Sequence, residues 1–157
     1  MILISPYSKG LRNGKRNPKN YPWFSELVKV LQAKGHQVTQ LGIGGEQPIG
    51  ADKTEWDLSL DKLGELIEEC DTWVSVDNFF HHYCASLAVK GVVIFGPSDP
   101  NIYGHDTNVN LLKDRKYLRQ DAFGLWESLE YSEDRFVDPM IVAKEVFKIV
   151  REKNGNS

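Results

Sequence analysis

A repeated switch between two hydrophobic periods constrains this chain more than any other feature. Residues 1–5 form a short apolar run closed by Pro6. After a polar stretch, Trp23, Phe24, Leu27, Val28, Val30 and Leu31 recur at helical spacing, with Pro22 at the entrance and Gly35 at the exit. Residues 36–41 (HQVTQL) alternate as a strand does, and Leu60, Leu63, Leu66 and Ile67 mark one face of a second helix. A third strand (72–76, TWVSV), a buried helix (83–89) and a fourth strand (92–95, VVIF) follow. The pattern is βαβαβαβ. It implies an α/β fold with a mostly parallel sheet and helices on both faces, and such sheets bind ligands at the carboxyl ends of their strands. Beyond it, 109–112 reads as a short strand and 123–129 as a short helix. Pro139 opens a final amphipathic helix that carries Ile141, Val142, Val146, Phe147 and Val150. One domain over 1–153 and a disordered tail over 154–157 are expected.

At 157 residues and 41% hydrophobic content the chain is sized for one core. No apolar run approaches the roughly 20 residues that cross a bilayer, and the first residues lack the basic and apolar regions of a leader. A cytoplasmic protein without a membrane span is therefore expected. Cys70 and Cys84 form no C-x-x-C and read as free thiols. The net charge of -3 argues against a dedicated nucleic-acid binder, yet Lys9, Arg12, Lys15, Arg16 and Lys19 all precede Glu26, the first acidic residue. One concentrated cationic loop suits a phosphate-bearing ligand.

The four loops at the strands' carboxyl ends are SKGLRNGKRNPKN, GIGGE, VDNFFHH and GPSDP. Two phosphate-binding signatures fail on them. G-x-G-x-x-G should follow the first strand, whereas GIGGEQ follows the second and ends in Gln47, and no G-x-x-x-x-G-K-[ST] occurs. Instead, Asp77 ends a strand directly before a helix, whose first-turn N–H groups can hold a diphosphate, with Lys15 and Arg16 adding charge from the neighbouring loop. His81, His82 and Cys84 invite a metal site, but adjacent helical residues point about 100° apart and no matching ligand cluster is evident elsewhere. No metal is expected.

The run from Leu63 through V-S-V-D-N-F-F-H-H-Y-C-A-S-L to V-V-I-F-G-P-S-D-P resembles the carboxyl-terminal, donor-binding half of the ADP-heptose heptosyltransferases of glycosyltransferase family nine. Their pattern is D-T-G-x-x-H-x-x-A, then a strand, then G-P-T-x-P. On it fall Asp77, His82 and Ala85, followed by Gly96, Pro97, Ser98 and Pro100. The segment G-K-R-N-P-K-N-Y-P looks like the family's K-R-W-P stretch and places Lys15 on its phosphate-contacting lysine, while Glu46 falls where the family tends to put an acid toward the ribose. As a short chain it also resembles predicted viral glycosyltransferases, which would place it in a host cytoplasm. The resemblance implies a Rossmann-like domain equivalent to one half of a GT-B enzyme. Its donor would be a nucleoside-diphosphate sugar, with no cofactor and no metal.

Under that reading Lys15, His82 and Asp99 are the candidate catalytic residues, with Asp106 a second acid that could serve as base. Ser8, Lys9, Arg16, Gly42, Glu46, Asp77, Asn78, Phe79, Phe80, Gly96, Pro97 and Ser98 are candidates for substrate contact. The chain departs from the pattern at Asn78 and Phe79, where the family has Thr and Gly, so an amide replaces a hydroxyl and a ring replaces the residue that permits close approach. It also has no room for the family's acceptor-binding half. The acceptor is then expected to be a hydroxymethylated DNA base, against which Phe79, Phe80 or Trp56 could stack, or a saccharide. Either the chain is a complete, minimal enzyme whose large acceptor needs no acceptor domain, or the missing half comes from a second copy or a partner subunit. The alternatives are a non-catalytic nucleotide-sugar-binding module that completes or regulates a partner, and an α/β phosphosugar isomerase or epimerase.

Overall fold

The computed structural model describes residues 1–155. Six strands, β1 (Ile2–Ser5), β2 (Val38–Gly42), β3 (Lys53–Trp56), β4 (Thr72–Val76), β5 (Val92–Phe95) and β6 (Val109–Leu112), form one sheet in the order β3-β2-β1-β4-β5-β6. Every pairing is parallel, and Ser5 lies in register with Ser75. β1, β4 and β5 are buried along their whole length, as parallel strands covered on both faces must be.

Side chains alternate between two layers. Ile2, Ile4, Val74, Val76, Val92 and Ile94 pack against α1 (Phe24–Ala33) and α5 (Pro139–Gly155). Leu3, Trp73, Val93 and Phe95 face α2 (Leu60–Glu69) and α3 (Phe79–Ser86). Fully burying one such aliphatic side chain contributes about 1.5–3 kcal/mol. A single turn, α4 (Pro100–Tyr103), follows β5, and three short 3-10 turns lie between β6 and α5. Both cysteines are free and buried. Among the described residues no helix is long and apolar enough to cross a membrane.

Four elements differ from expectation. β3 was not foreseen: its KTEW sequence is polar, and it sits exposed at the sheet edge, where no apolar alternation is required. The third helix begins at Phe79 and ends at Ser86, four residues earlier than the aliphatic pattern suggests at its start, because Asn78 caps it. Residues 123–129 form only the 3-10 turn Trp126–Ser128. α5 continues through Gly155, past the expected boundary at 153; residues 156–157 of the expected tail lie outside the described residues.

Candidate functional site

The strand order reverses between β1 and β4: the chain winds outward through β2 and β3 on one side, then through β5 and β6 on the other. The loops leaving β1 and β4 diverge there and open a crevice at the carboxyl ends of the strands. It holds a cleft of about 720 Å³, within the roughly 300–1,000 Å³ usual for small-molecule sites. Leu41, Ile43, Leu58, Leu60 and Leu63 supply an apolar wall, and Ser8, Lys19, Asp77 and Asn78 supply polar groups.

Asn78 is the junction of the site. Its side-chain oxygen accepts from the N–H of Phe80 at 3.0 Å and so caps α3. Its amide nitrogen donates to Ser5 Oγ at 3.0 Å and to the Tyr7 carbonyl at 3.2 Å. Ser8 closes the link from the other side, its hydroxyl donating to the Asp77 carbonyl at 2.9 Å and its N–H to Asn20 Oδ1 at 2.8 Å. The amide that departs from the family pattern thus fastens the β1 and β4 loops together, a task that requires a donor and an acceptor on one side chain.

Asp77 is buried at 5% exposure. Its Oδ1 pairs with His81 Nε2 at 3.0 Å, one helical turn on, and its Oδ2 lies 3.9 Å from Lys19 Nζ. Burial alone would raise this carboxyl, but the His81 hydrogen bond and the Lys19 charge hold it below the ordinary Asp value. Burial conversely lowers Lys19, with Asp77 opposing the shift. The Lys19 ammonium also sits 5.0 Å from the centre of the Trp126 ring, over which Arg119 stacks at 3.4 Å. A lysine, a carboxylate and the first turn of α3 therefore converge on one wall of the cleft.

No family model and no curated protein sequence matches the chain. Among solved structures it is similar to the E. coli ADP-heptose lipopolysaccharide heptosyltransferase II, with a TM-score of 0.72 and 19% identity over 98% of this chain and 47% of that one. The fold is that of half a heptosyltransferase. A family nine glycosyltransferase from Veillonella parvula gives a TM-score of 0.70 at 16% identity over 97% of this chain and 46% of its own. The E. coli heptosyltransferase WaaC with ADP gives 0.56 at 18% identity, covering 69% of this chain and 36% of that one. The chain spans about half the length of the first two or less. The Rossmann-like, GT-B-half architecture expected from the motifs is the one observed.

The structure brings Ser8, Lys9, Gly42, Glu46, Asp77, Asn78, Phe79, Phe80 and His82 to this cleft. Their roles differ. Phe79 is 60% exposed, whereas Phe80 is buried and packs edge-on against Trp73 at 5.5 Å, so it lays the cleft floor and cannot offer a face for base stacking. Glu46 accepts from the Ile43 N–H at 2.8 Å, and burial pushes its carboxyl above the usual Glu value. A Cβ on Gly42 would collide with the Glu46 carboxylate and the Trp56 ring, so this glycine makes room for both. Lys15 and Arg16 line a smaller cleft beside the first, across Tyr7, Ser8 and Glu46. Both are exposed, and the Arg16 guanidinium rests 4.1 Å from the centre of the Tyr131 ring.

The loop after β5 does not itself line the cleft, but Ser98 stands close enough to Asp77 for its hydroxyl to help hold that carboxyl low. A Cβ at Gly96 would meet the Phe136 ring, the Pro97 carbonyl accepts from the Arg119 N–H at 2.9 Å, and Ser98 is 1% exposed. Asp99, expected as a catalytic acid or base, instead caps α4 through the Asn101 N–H and is held by both terminal nitrogens of Arg115 at 3.1 and 2.8 Å. That guanidinium keeps its carboxyl below the ordinary value. Asp99 is therefore engaged by α4 and Arg115 and is not among the residues that line the cleft.

Sequence reasoning missed Lys19, one of five cations in its loop and set apart only by folding. It also missed His105. His82 Nδ1 lies 2.7 Å from His105 Nε2, and His81, His82 and His105 each offer a ring nitrogen within 4.8 Å of the others. The ligand cluster thought absent is present, because the loop after α4 returns to the first turn of α3.

Proposed function

We propose that this domain binds a nucleoside-diphosphate sugar in the β1/β4 cleft and takes part in glycosyl transfer. The single observation that carries the reading is the convergence of the α3 amino terminus, Lys19 and a largely apolar wall at the switch point of a heptosyltransferase-like sheet. The base and ribose would lie along Leu41, Ile43 and the Leu58–Leu63 side, with Glu46 toward the ribose. The diphosphate would lie at the first turn of α3, where N–H groups and the helix dipole favour an anion. The acceptor hydroxyl attacks the anomeric carbon as the bond to the diphosphate oxygen breaks, and the hydroxyl proton passes to a base. Charge developing on the leaving oxygen is met by preorganised donors, Lys19 from the cleft wall and Lys15 and Arg16 from the adjoining rim. Burial and the neighbouring histidines lower His82 below the ordinary histidine value, and its ring lines the cleft as a hydrogen-bonding group.

Donor binding by this scheme needs no metal. The exposed Lys9 and Lys15 on the rim favour a polyanionic acceptor such as a modified DNA strand over a neutral saccharide. The engagement of Asp99 by Arg115 favours a second reading, a donor-binding module that transfers only when a second copy or a partner supplies the base. Turnover assays of the purified chain with ADP- and UDP-sugars separate the two, with hydroxymethylated DNA and oligosaccharides offered as acceptors in chelator. Transfer by the chain alone supports the first. Nucleotide binding without transfer supports the second, and absence of both removes the donor site altogether.

A further inference from the structure

We infer that His81, His82 and His105 form a binding site for a divalent first-row transition ion, with zinc the expected occupant. Three observations carry it. The first is the cluster itself, with one ring nitrogen from each histidine within 4.8 Å of the others. For metal–nitrogen bonds of about 2.0–2.1 Å, tetrahedral ligands stand roughly 3.3 Å apart, so small side-chain shifts would close the set on an ion. His82 is exposed and His105 lies in a loop, so both have the freedom to make those shifts.

The second observation is an unpartnered atom. His81 is fully buried, its Nε2 is taken by Asp77, and its Nδ1 has no hydrogen-bond partner. A buried imidazole nitrogen left without a hydrogen-bond partner is unfavourable unless something binds it. The third is the outer sphere. An ion-binding histidine commonly donates its other N–H to a carboxylate, which fixes the tautomer and leaves the opposite lone pair for the metal. Asp77, 3.0 Å from His81 Nε2 in the cleft wall, is that carboxylate for His81.

Three imidazoles suit zinc, iron, copper or nickel, and three protein ligands leave a fourth position open. His82 also lines the cleft, and an open fourth position on such an ion can take water or an anionic oxygen. The ion would also tie the first turn of α3 to the loop after α4.

The site is tested by titrating the metal-free chain with Zn²⁺ in a calorimeter without nucleotide, and with Co²⁺ by visible absorption. One ion per chain with a tetrahedral Co²⁺ spectrum is expected. His82→Ala and His105→Ala, neither at a fully buried position, should each weaken binding by more than the roughly 10–100-fold typical of a lost outer-sphere partner, and Asp77→Asn by about that range. His36→Ala should leave binding unchanged, because the fourth histidine stacks on Phe147, ahead of β2 at the opposite end of the sheet. No stoichiometric binding, or affinity unaltered in both His82 and His105 variants, overturns the site. The donor reading is assayed in chelator and this one without nucleotide, so either can fail alone.

Discussion

The loops after β4 and β5 carry two of the segments that resemble heptosyltransferase motifs, yet they sit differently in the fold. The β4 loop lies at the switch point, where diverging chains leave space. Its Asp77 and Asn78 are aimed across the crevice at Lys19, Ser5 and Tyr7. The β5 loop lies one strand further, where α5 and the following segment close over it. There Gly96 fits under Phe136, and Asp99 is spent on α4 and Arg115. Motif likeness marks both loops, but only the one at the strand-order reversal lines the cleft.

The comparison can be broken most forcefully at Asp77. Asp77→Ala leaves the buried His81 ring and Lys19 without their carboxylate, and should cost about 3–5 kcal/mol in a denaturant titration together with nucleotide binding. Gly96→Ala forces a methyl against Phe136 and should cost about 1–3 kcal/mol, while the folded fraction keeps its nucleotide affinity. If nucleotide affinity fell instead, the β5 loop would belong to the site. Asn78→Ala removes a cap and the bridge to β1. A loss of about 0.5–2 kcal/mol is expected, with weaker nucleotide binding than the stability change alone explains.

At Lys19 the expected effect is on turnover. If Lys19 stabilises the leaving diphosphate, Lys19→Ala should lower kcat by about 10²–10³-fold, with Lys15→Ala reducing it less because Lys15 stands in the adjoining cleft. The reverse order would move the diphosphate to that cleft. The smallest effect belongs to the exposed Asp99–Arg115 pair. Asp99→Asn should cost no more than about 1 kcal/mol and leave transfer unchanged. Because its folded carboxyl is held low, the pair's contribution is present above the ordinary Asp value and fades as pH falls through the lower one, visible as a slight difference in acid unfolding between variant and parent.

Much of this architecture is legible in the chain because parallel strands buried on both faces read as predominantly apolar runs, as ILIS, TWVSV and VVIF do. KTEW is illegible for the same reason: an edge strand with exposed side chains has no burial to record. The site is legible where local sequence builds it, as at Asp77 and Asn78, which end a strand and cap a helix within two positions. Lys19 and His105 are not, since each acquires its partner through chain reversals, His105 from 23 residues beyond His82. The cluster that a one-dimensional reading dismisses is therefore a product of topology.

The most direct measurement of the central claim is calorimetric titration of the chain with ADP, UDP, GDP and CDP in chelator, beside Lys19→Ala. The account predicts one site per chain for at least one nucleoside diphosphate, largely lost in Lys19→Ala and retained in Asp99→Asn. Absence of binding by all four, or binding indifferent to Lys19, would contradict the assignment of the β1/β4 cleft as a nucleotide site.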